Sequence, residues 1–158
     1  MIEYSIAKQD SLAALTVTGF CDLLSTDAPA PGGGSVAALC AAMSGALSAM
    51  VSNLTIDKKG YEKVREDAVR LAPLGQDIKL KAIQCIDKDT DAFYEMMDAM
   101  RLPKKTDEEI ALRDAMLEKT TQKAILIPLE TLELSLEALK LATQVAVIGN
   151  TNAISDAD

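Results

Sequence analysis

The sequence predicts an all-α fold: a mostly up-and-down bundle of five or six helices around a central helix rich in Ala and Gly. Three observations carry that prediction. Large apolar residues between Val36 and Leu54 step by 4, 3, 4, 3 and 4, tracing one stripe of a helix. No segment alternates with the two-residue period of a half-buried strand. The chain is 49% hydrophobic but only 3% aromatic, with no Trp, so the core must be built from aliphatic and Met side chains, which favours packed helices over a sandwich.

Residues 1–15 carry a weak signal, for a short helix or an ordered arm. Thr16 or Thr18 can cap a short helix bearing Phe20, Leu23 and Leu24, which ends before Asp27-Ala-Pro. The central helix follows from Ser35, expected as its N-cap, to about Leu54–Asp57. Lys58, Lys59 and Gly60 then mark a break. A charged helix from Tyr61 to Leu71 is interrupted or kinked at Pro73 and Gly75. A third long helix runs from about Gln76 to Met100, and Leu102-Pro-Lys-Lys is a loop. Thr106 and Glu109 form a capping box for the next helix. Pro128 kinks that helix or opens another, Leu129–Ile148, with Gly149 as its C′ residue.

The central stretch, Ala28–Ile56, holds no charge. Beside its large stripe (Val36, Cys40, Met43, Leu47, Met50, Leu54) runs a second stripe of small residues, Ala38, Ala42, Gly45 and Ala49. Such a helix is built to be enclosed, with neighbours close to its backbone. A membrane span is the rival reading. It is disfavoured because Ala, Ser and Gly dominate and no basic flank follows. Gly32, Gly33 and Gly34 before a helix form either a tight entry turn or a cradle for an anion at free N–H groups, and no Walker or dinucleotide pattern decides between them.

Composition removes whole classes of chemistry. A net charge of −8 argues against a nucleic-acid surface and for a soluble cytosolic protein. The chain contains no His, which excludes His-based triads and His-ligated metals. Acid–base work near neutral pH must then fall to a carboxylate, Lys, Tyr or Cys. Cys21, Cys40 and Cys85 are odd in number and are expected as buried, reduced thiols. The N-terminus lacks the apolar core of a signal peptide.

One residue interrupts the pattern. From Ile78 the stripe of the third long helix advances through Ala82 and Cys85 to Asp89, then Phe93, Met96 and Met100. A carboxylate thus sits mid-stripe, with Asp87 at the edge and Asp91 on the solvent side. A buried, unpartnered carboxylate costs several kcal/mol or binds a proton. Two readings follow: an ion pair with a basic residue of a neighbouring helix, for which Arg113 is the candidate, or a general acid or base in a pocket between helices.

Several segments together resemble the cyclodeaminase/cyclohydrolase family of folate enzymes. They are Pro29-Ala-Pro-Gly-Gly-Gly-Ser-Val-Ala-Ala, Met50-Val-Ser-Asn-Leu-Thr, Ile86-Asp-Lys-Asp-Thr-Asp-Ala-Phe, Leu102-Pro-Lys, Arg113, Ile127-Pro-Leu and Gly149-Asn-Thr-Asn-Ala-Ile-Ser-Asp. The resemblance runs in family order from about Leu15 to Asp156. It implies an all-helical homodimer acting on the one-carbon bridge of tetrahydrofolate, with no metal or redox cofactor, no nucleic acid and no membrane partner. The activity is methenyltetrahydrofolate cyclohydrolase, giving 10-formyltetrahydrofolate, or formiminotetrahydrofolate cyclodeaminase, releasing ammonia. With no formiminotransferase half attached, hydrolysis is favoured. A catalytically silent folate-binding dimer is the reading from a different class.

Residue by residue, Asp87 and Asp89 match the family's Asp-x-Asp. Asp89 is the first choice for the acid/base, because the stripe independently buries it, and Asp87 the second. Gly32, Gly33, Gly34 and Ser35 match a turn that lines the pocket. Lys104 and Arg113 match basic positions suited to folate carboxylates, and Asn150, Ser155 and Asp156 match the last motif. Family members continue beyond Ser-Asp with another small-residue helix, whereas this chain reads Ser155-Asp-Ala-Asp158. Either the single domain, 1–158, stops short of that helix or the resemblance is incomplete there.

Overall fold

The computed structural model describes residues 11–156. Four α-helices carry the fold: α1 (Val17–Leu24), α2 (Gly33–Ile56), α3 (Arg65–Arg101) and α4 (Asp107–Ile148). Short 3-10 turns stand at Leu12–Ala14, Glu62–Val64 and Ile154–Asp156, and no strand occurs among the described residues. The class is all-α, as expected, with fewer and longer helices than the breaker residues suggested.

Local signals placed several ends correctly. The Thr16 hydroxyl accepts from the Gly19 N–H at 3.0 Å and caps α1. Thr106 accepts from the Glu109 N–H at 3.2 Å while Glu109 Oε2 accepts from the Thr106 N–H at 3.2 Å, the reciprocal pair that opens α4. Gly60 adopts φ +93°, a conformation L side chains avoid, and turns the chain between α2 and α3.

Pro73 and Pro128 do not end helices. Each lies inside one, within the 37 residues of α3 and the 42 of α4. A mid-helix proline forfeits one backbone hydrogen bond and crowds a carbonyl, at about 3 kcal/mol. Both prolines are on the solvent side, where water can serve the freed carbonyl, and the opposite faces of α3 and α4 are held by the core. Gly75 likewise continues its helix.

The central helix is buried through its small stripe rather than its large one. Ala38, Ala42, Gly45 and Ala49 are sealed against α3 and α4, whereas Met43, Leu47, Met50 and Leu54 face outward, 38–50% exposed. The cause is a close crossing of α2 and α3. A Cβ on Gly75 would stand 2.5 Å from the Gly45 carbonyl oxygen, and one on Gly45 would stand 2.8 Å from that of Gly75. On one side of this crossing Phe20, Ala41, Ala82, Ile86 and Leu134 form a core cluster, and on the other Val51, Leu71, Ile78, Leu141 and Val145 form a second. α2 is long and apolar enough to cross a membrane, and here it serves as the core helix of the bundle.

Three further expectations change. Ser35 is not the cap of α2: Gly32 is, and the Ser35 side chain lies fully buried inside the first turn. Gly149 closes α4 in extended rather than left-handed backbone, with φ −62° and ψ 154°. Its missing side chain serves packing, since a Cβ there would sit 2.8 Å from Val51 Cγ1. Of the three free thiols only Cys85 is buried, while Cys21 and Cys40 are exposed.

Candidate active site

Where α2 begins, its backbone meets the middle of α3. A Cβ built on Gly34 would fall within the carboxylate of Asp89. Only glycine leaves that space, so the glycine turn and the mid-stripe carboxylate are two halves of one contact. Ser35, fully buried, donates to Asp89 Oδ2 at 3.1 Å and lies 3.2 Å from the Ile86 carbonyl oxygen. Its oxygen is also 3.4 Å from Thr90 Oγ1. Asp89 itself is half-buried. Being at the N-terminus of α2 it also meets the positive end of a helix dipole.

Asp89 forms no ion pair among the described residues. Arg113, the candidate counter-ion, stands in the second turn of α4, its Nη1 3.7 Å from Asp114, with its Nε buried and without a hydrogen-bond partner. The neighbouring Lys88 is tied to Glu130 of α4 at 2.7 and 2.9 Å. That hydrogen bond holds the Lys88 ammonium above its ordinary pKa. In the same area burial, then the nearby Glu130 charge, pushes the Cys85 thiol up.

Asp87 has a different occupation. Its Oδ2 accepts from the Ser11 hydroxyl at 2.6 Å, and its Oδ1 from the Leu12 and Ala13 N–H groups at 2.7 and 3.4 Å. It caps the Leu12–Ala14 turn and fastens that segment to α3. Gly32 and Gly33 are open: nothing lies within 4 Å of a Cβ on either.

The remaining expected site residues are apart from this cluster within one chain. Lys104 is exposed in the loop after Arg101, and α3 runs 12 residues past Asp89 to reach it, roughly 18 Å at 1.5 Å per residue. Asn150 is buried at the other end of α2, where its N–H donates to Thr55 Oγ1 at 2.9 Å. Asp156 is exposed in the turn that follows. Ser35 and Thr55 are 20 residues apart on α2, which separates these two ends by roughly 30 Å. Thr90 was missed by sequence reasoning. A hydroxyl one residue beyond the interrupted stripe was the available sign.

Comparison with known proteins adds the decisive observation: the formiminotransferase-cyclodeaminase profile matches residues 16–158. The chain belongs to that family. It is 41% identical over 142 residues to a methenyltetrahydrofolate cyclohydrolase of Methylorubrum extorquens, covering 90% of this chain and 68% of that protein. It is 35% identical to a formimidoyltransferase-cyclodeaminase of Dictyostelium discoideum, covering 99% of this chain and 28% of the larger protein. The crystal structure of formiminotetrahydrofolate cyclodeaminase from Thermotoga maritima superposes with a TM-score of 0.77 at 30% identity, covering 91% of this chain and 68% of that one.

Proposed function

We propose that the chain is a methenyltetrahydrofolate cyclohydrolase in which Asp89 is the general acid/base. The observation that carries this reading is a half-buried carboxylate set against the glycine turn without a counter-ion among the described residues, in a chain 41% identical to a cyclohydrolase. Water adds to the methenyl carbon as Asp89 accepts a proton from it. The hydroxyl of the adduct then gives up its proton to solvent as the bond from that carbon to N5 breaks, N5 takes the proton held by Asp89, and the one-carbon unit remains on N10 as a formyl group. A carboxylate beside the reacting carbon also favours the cationic methenyl substrate. Nothing in these steps calls for a cofactor. Arg113, with its unspent buried donor, suits a folate carboxylate, and Lys104 on the neighbouring loop suits another. Exposed thiols at Cys21 and Cys40 fit a reducing cytosol.

The outward row of α2 supports pairing of two copies. From Cys40 through Met43 and Leu47 to Met50 its steps of 3, 4 and 3 read the same in both directions, so an antiparallel two-fold copy sets Cys40 opposite Met50 and Met43 opposite Leu47. The same pairing carries Asn150 of the partner subunit to the Ser35 end of α2 and gathers residues that a single chain keeps apart.

The test is spectroscopic. With methenyltetrahydrofolate the near-ultraviolet band should decay faster than in buffer, and Asp89→Asn should abolish the difference. Growth of that band from formiminotetrahydrofolate, without hydrolysis, would establish the cyclodeaminase reading favoured by the Thermotoga neighbour. No change in either assay would leave the silent folate-binding dimer.

A further inference from the structure

Ser35 is fully buried and reaches no solvent, so it does not line a pocket as its place in the glycine motif suggested. Its one hydroxyl proton has two acceptors of nearly equal reach, Asp89 Oδ2 at 3.1 Å and the Ile86 carbonyl oxygen at 3.2 Å. The hydroxyl rotates freely, so the charge on Asp89 decides which acceptor it serves. An ionised carboxylate is the stronger acceptor and draws the proton to Oδ2. Once Asp89 is protonated, the hydroxyl turns to Ile86 and stays satisfied, avoiding the cost of a buried donor without a partner. Oδ1 has no hydrogen bond among the described residues.

We infer that Ser35 is the positioning residue of the site: it holds Oδ2 of Asp89, leaves Oδ1 as the reacting oxygen, and follows the protonation of Asp89 by turning between Oδ2 and the Ile86 carbonyl. The inference rests on the acid/base reading of Asp89. The protons balance: Ser35 keeps its own throughout, Asp89 takes one proton from water and passes it to N5, and the second proton of that water leaves the adduct hydroxyl to solvent as the formyl carbonyl forms. Among the described residues, the charges next to Asp89 are committed elsewhere or exposed. Asp87 is bound by Ser11, Leu12 and Ala13, Lys88 is paired with Glu130 of α4, and Asp91 is exposed. Neither α2 nor the Leu12–Ala14 turn brings a charged side chain.

Ser35→Ala removes the only hydroxyl that the described residues donate to the carboxylate and disfavours its ionised form. The acidic limb of the kcat/KM profile should move to higher pH. Below that limb kcat should fall on the order of tenfold or more, with KM changed less than about twofold. Thr90→Val, which removes the more distant hydroxyl, should leave the limb in place. An infrared measurement needs no turnover: the carboxylate band assigned to Asp89 by its loss in Asp89→Asn should shift in Ser35→Ala. If Ser35→Ala does not fold, Ser35→Cys keeps the shape with a weaker donor and should move limb and band in the same direction. An unmoved limb or an unmoved band overturns the inference. Should the wild type turn over neither folate, the enzyme reading falls, and the infrared comparison alone decides the link between Ser35 and Asp89.

Discussion

Gly34 and Asp89 exclude one another's side chains: the carboxylate of one fills the place where the other would carry a methyl group. Gly34→Ala must displace Asp89, at about 1–3 kcal/mol of stability as an overpacked contact. Turnover should fall at least about a hundredfold, the scale set by loss of a positioned acid/base. Gly33→Ala, with open space around the new methyl, should be nearly neutral in both. Thermal melts and the methenyl assay on the pair separate a steric requirement from a general need for glycine.

The two carboxylates should fail differently. Asp89→Asn should lower kcat by about 10²- to 10⁴-fold with little change in melting temperature. Asp87→Asn leaves the Leu12–Ala14 turn without its charged acceptor and should cost about 1–3 kcal/mol while retaining most activity. Protease nicking near Ser11 would report the loosened segment. Equal loss of activity in both would return Asp87 to the chemistry.

Gly75→Ala should be among the most damaging small substitutions in the chain. Its methyl would meet a backbone carbonyl at 2.5 Å, and backbone cannot rotate away. A loss of about 3 kcal/mol or more is expected in urea denaturation, at or beyond the upper end for overpacking.

Leu47→Lys sets a charge in the middle of the outward row of α2. If two copies pair there, the variant should sediment as a monomer while keeping its helical circular dichroism, and turnover should fall with dimer concentration. A wild-type chain that sediments as a monomer at all concentrations would remove the pairing.

The Lys88–Glu130 bridge gives a pH dependence. The folded-state pKa of Lys88 is raised by Glu130, so the bridge contributes fully below the unfolded value, about 10.4, and its contribution is lost as pH rises through the folded one. Because both side chains are about two-fifths exposed, at 41% and 42%, the term should be no more than about 1 kcal/mol. Denaturation midpoints of wild type and Lys88→Gln should differ at pH 8 and converge as the pH is raised through the folded-state value.

How much of this was legible depended on the range of the interaction that decides each feature. Thr16, Gly60 and the Thr106–Glu109 pair act over a few residues, and their sequence signals sufficed. The burial of Asp89 was legible only in part: counting along one helix placed it mid-stripe, whereas it is half-buried like its neighbours Asp87 and Lys88. At Pro73 and Pro128 the local signal left a break or a kink open, and the helices continue because packing against other helices outweighs a local penalty. Ser35 looked like a cap because its type and place suit one, yet its partners are Ile86 and Asp89, more than 50 residues away. The sequence suggested that all of α2 is enclosed, yet its large row faces outward, because bare backbone at Gly45 and Gly75 lets α3 come closer on the small one.

The crossing of Gly45 and Gly75 has a consequence for the far end of both helices. Two backbones that touch without side chains between them have no compliant layer, so neither rod can slide along the other. From that fixed datum Gly34 is 11 residues down one rod and Asp89 14 residues up the other, roughly 17 and 21 Å away. The contact between the glycine turn and the Asp89 carboxylate is thereby gauged from a point well removed from both.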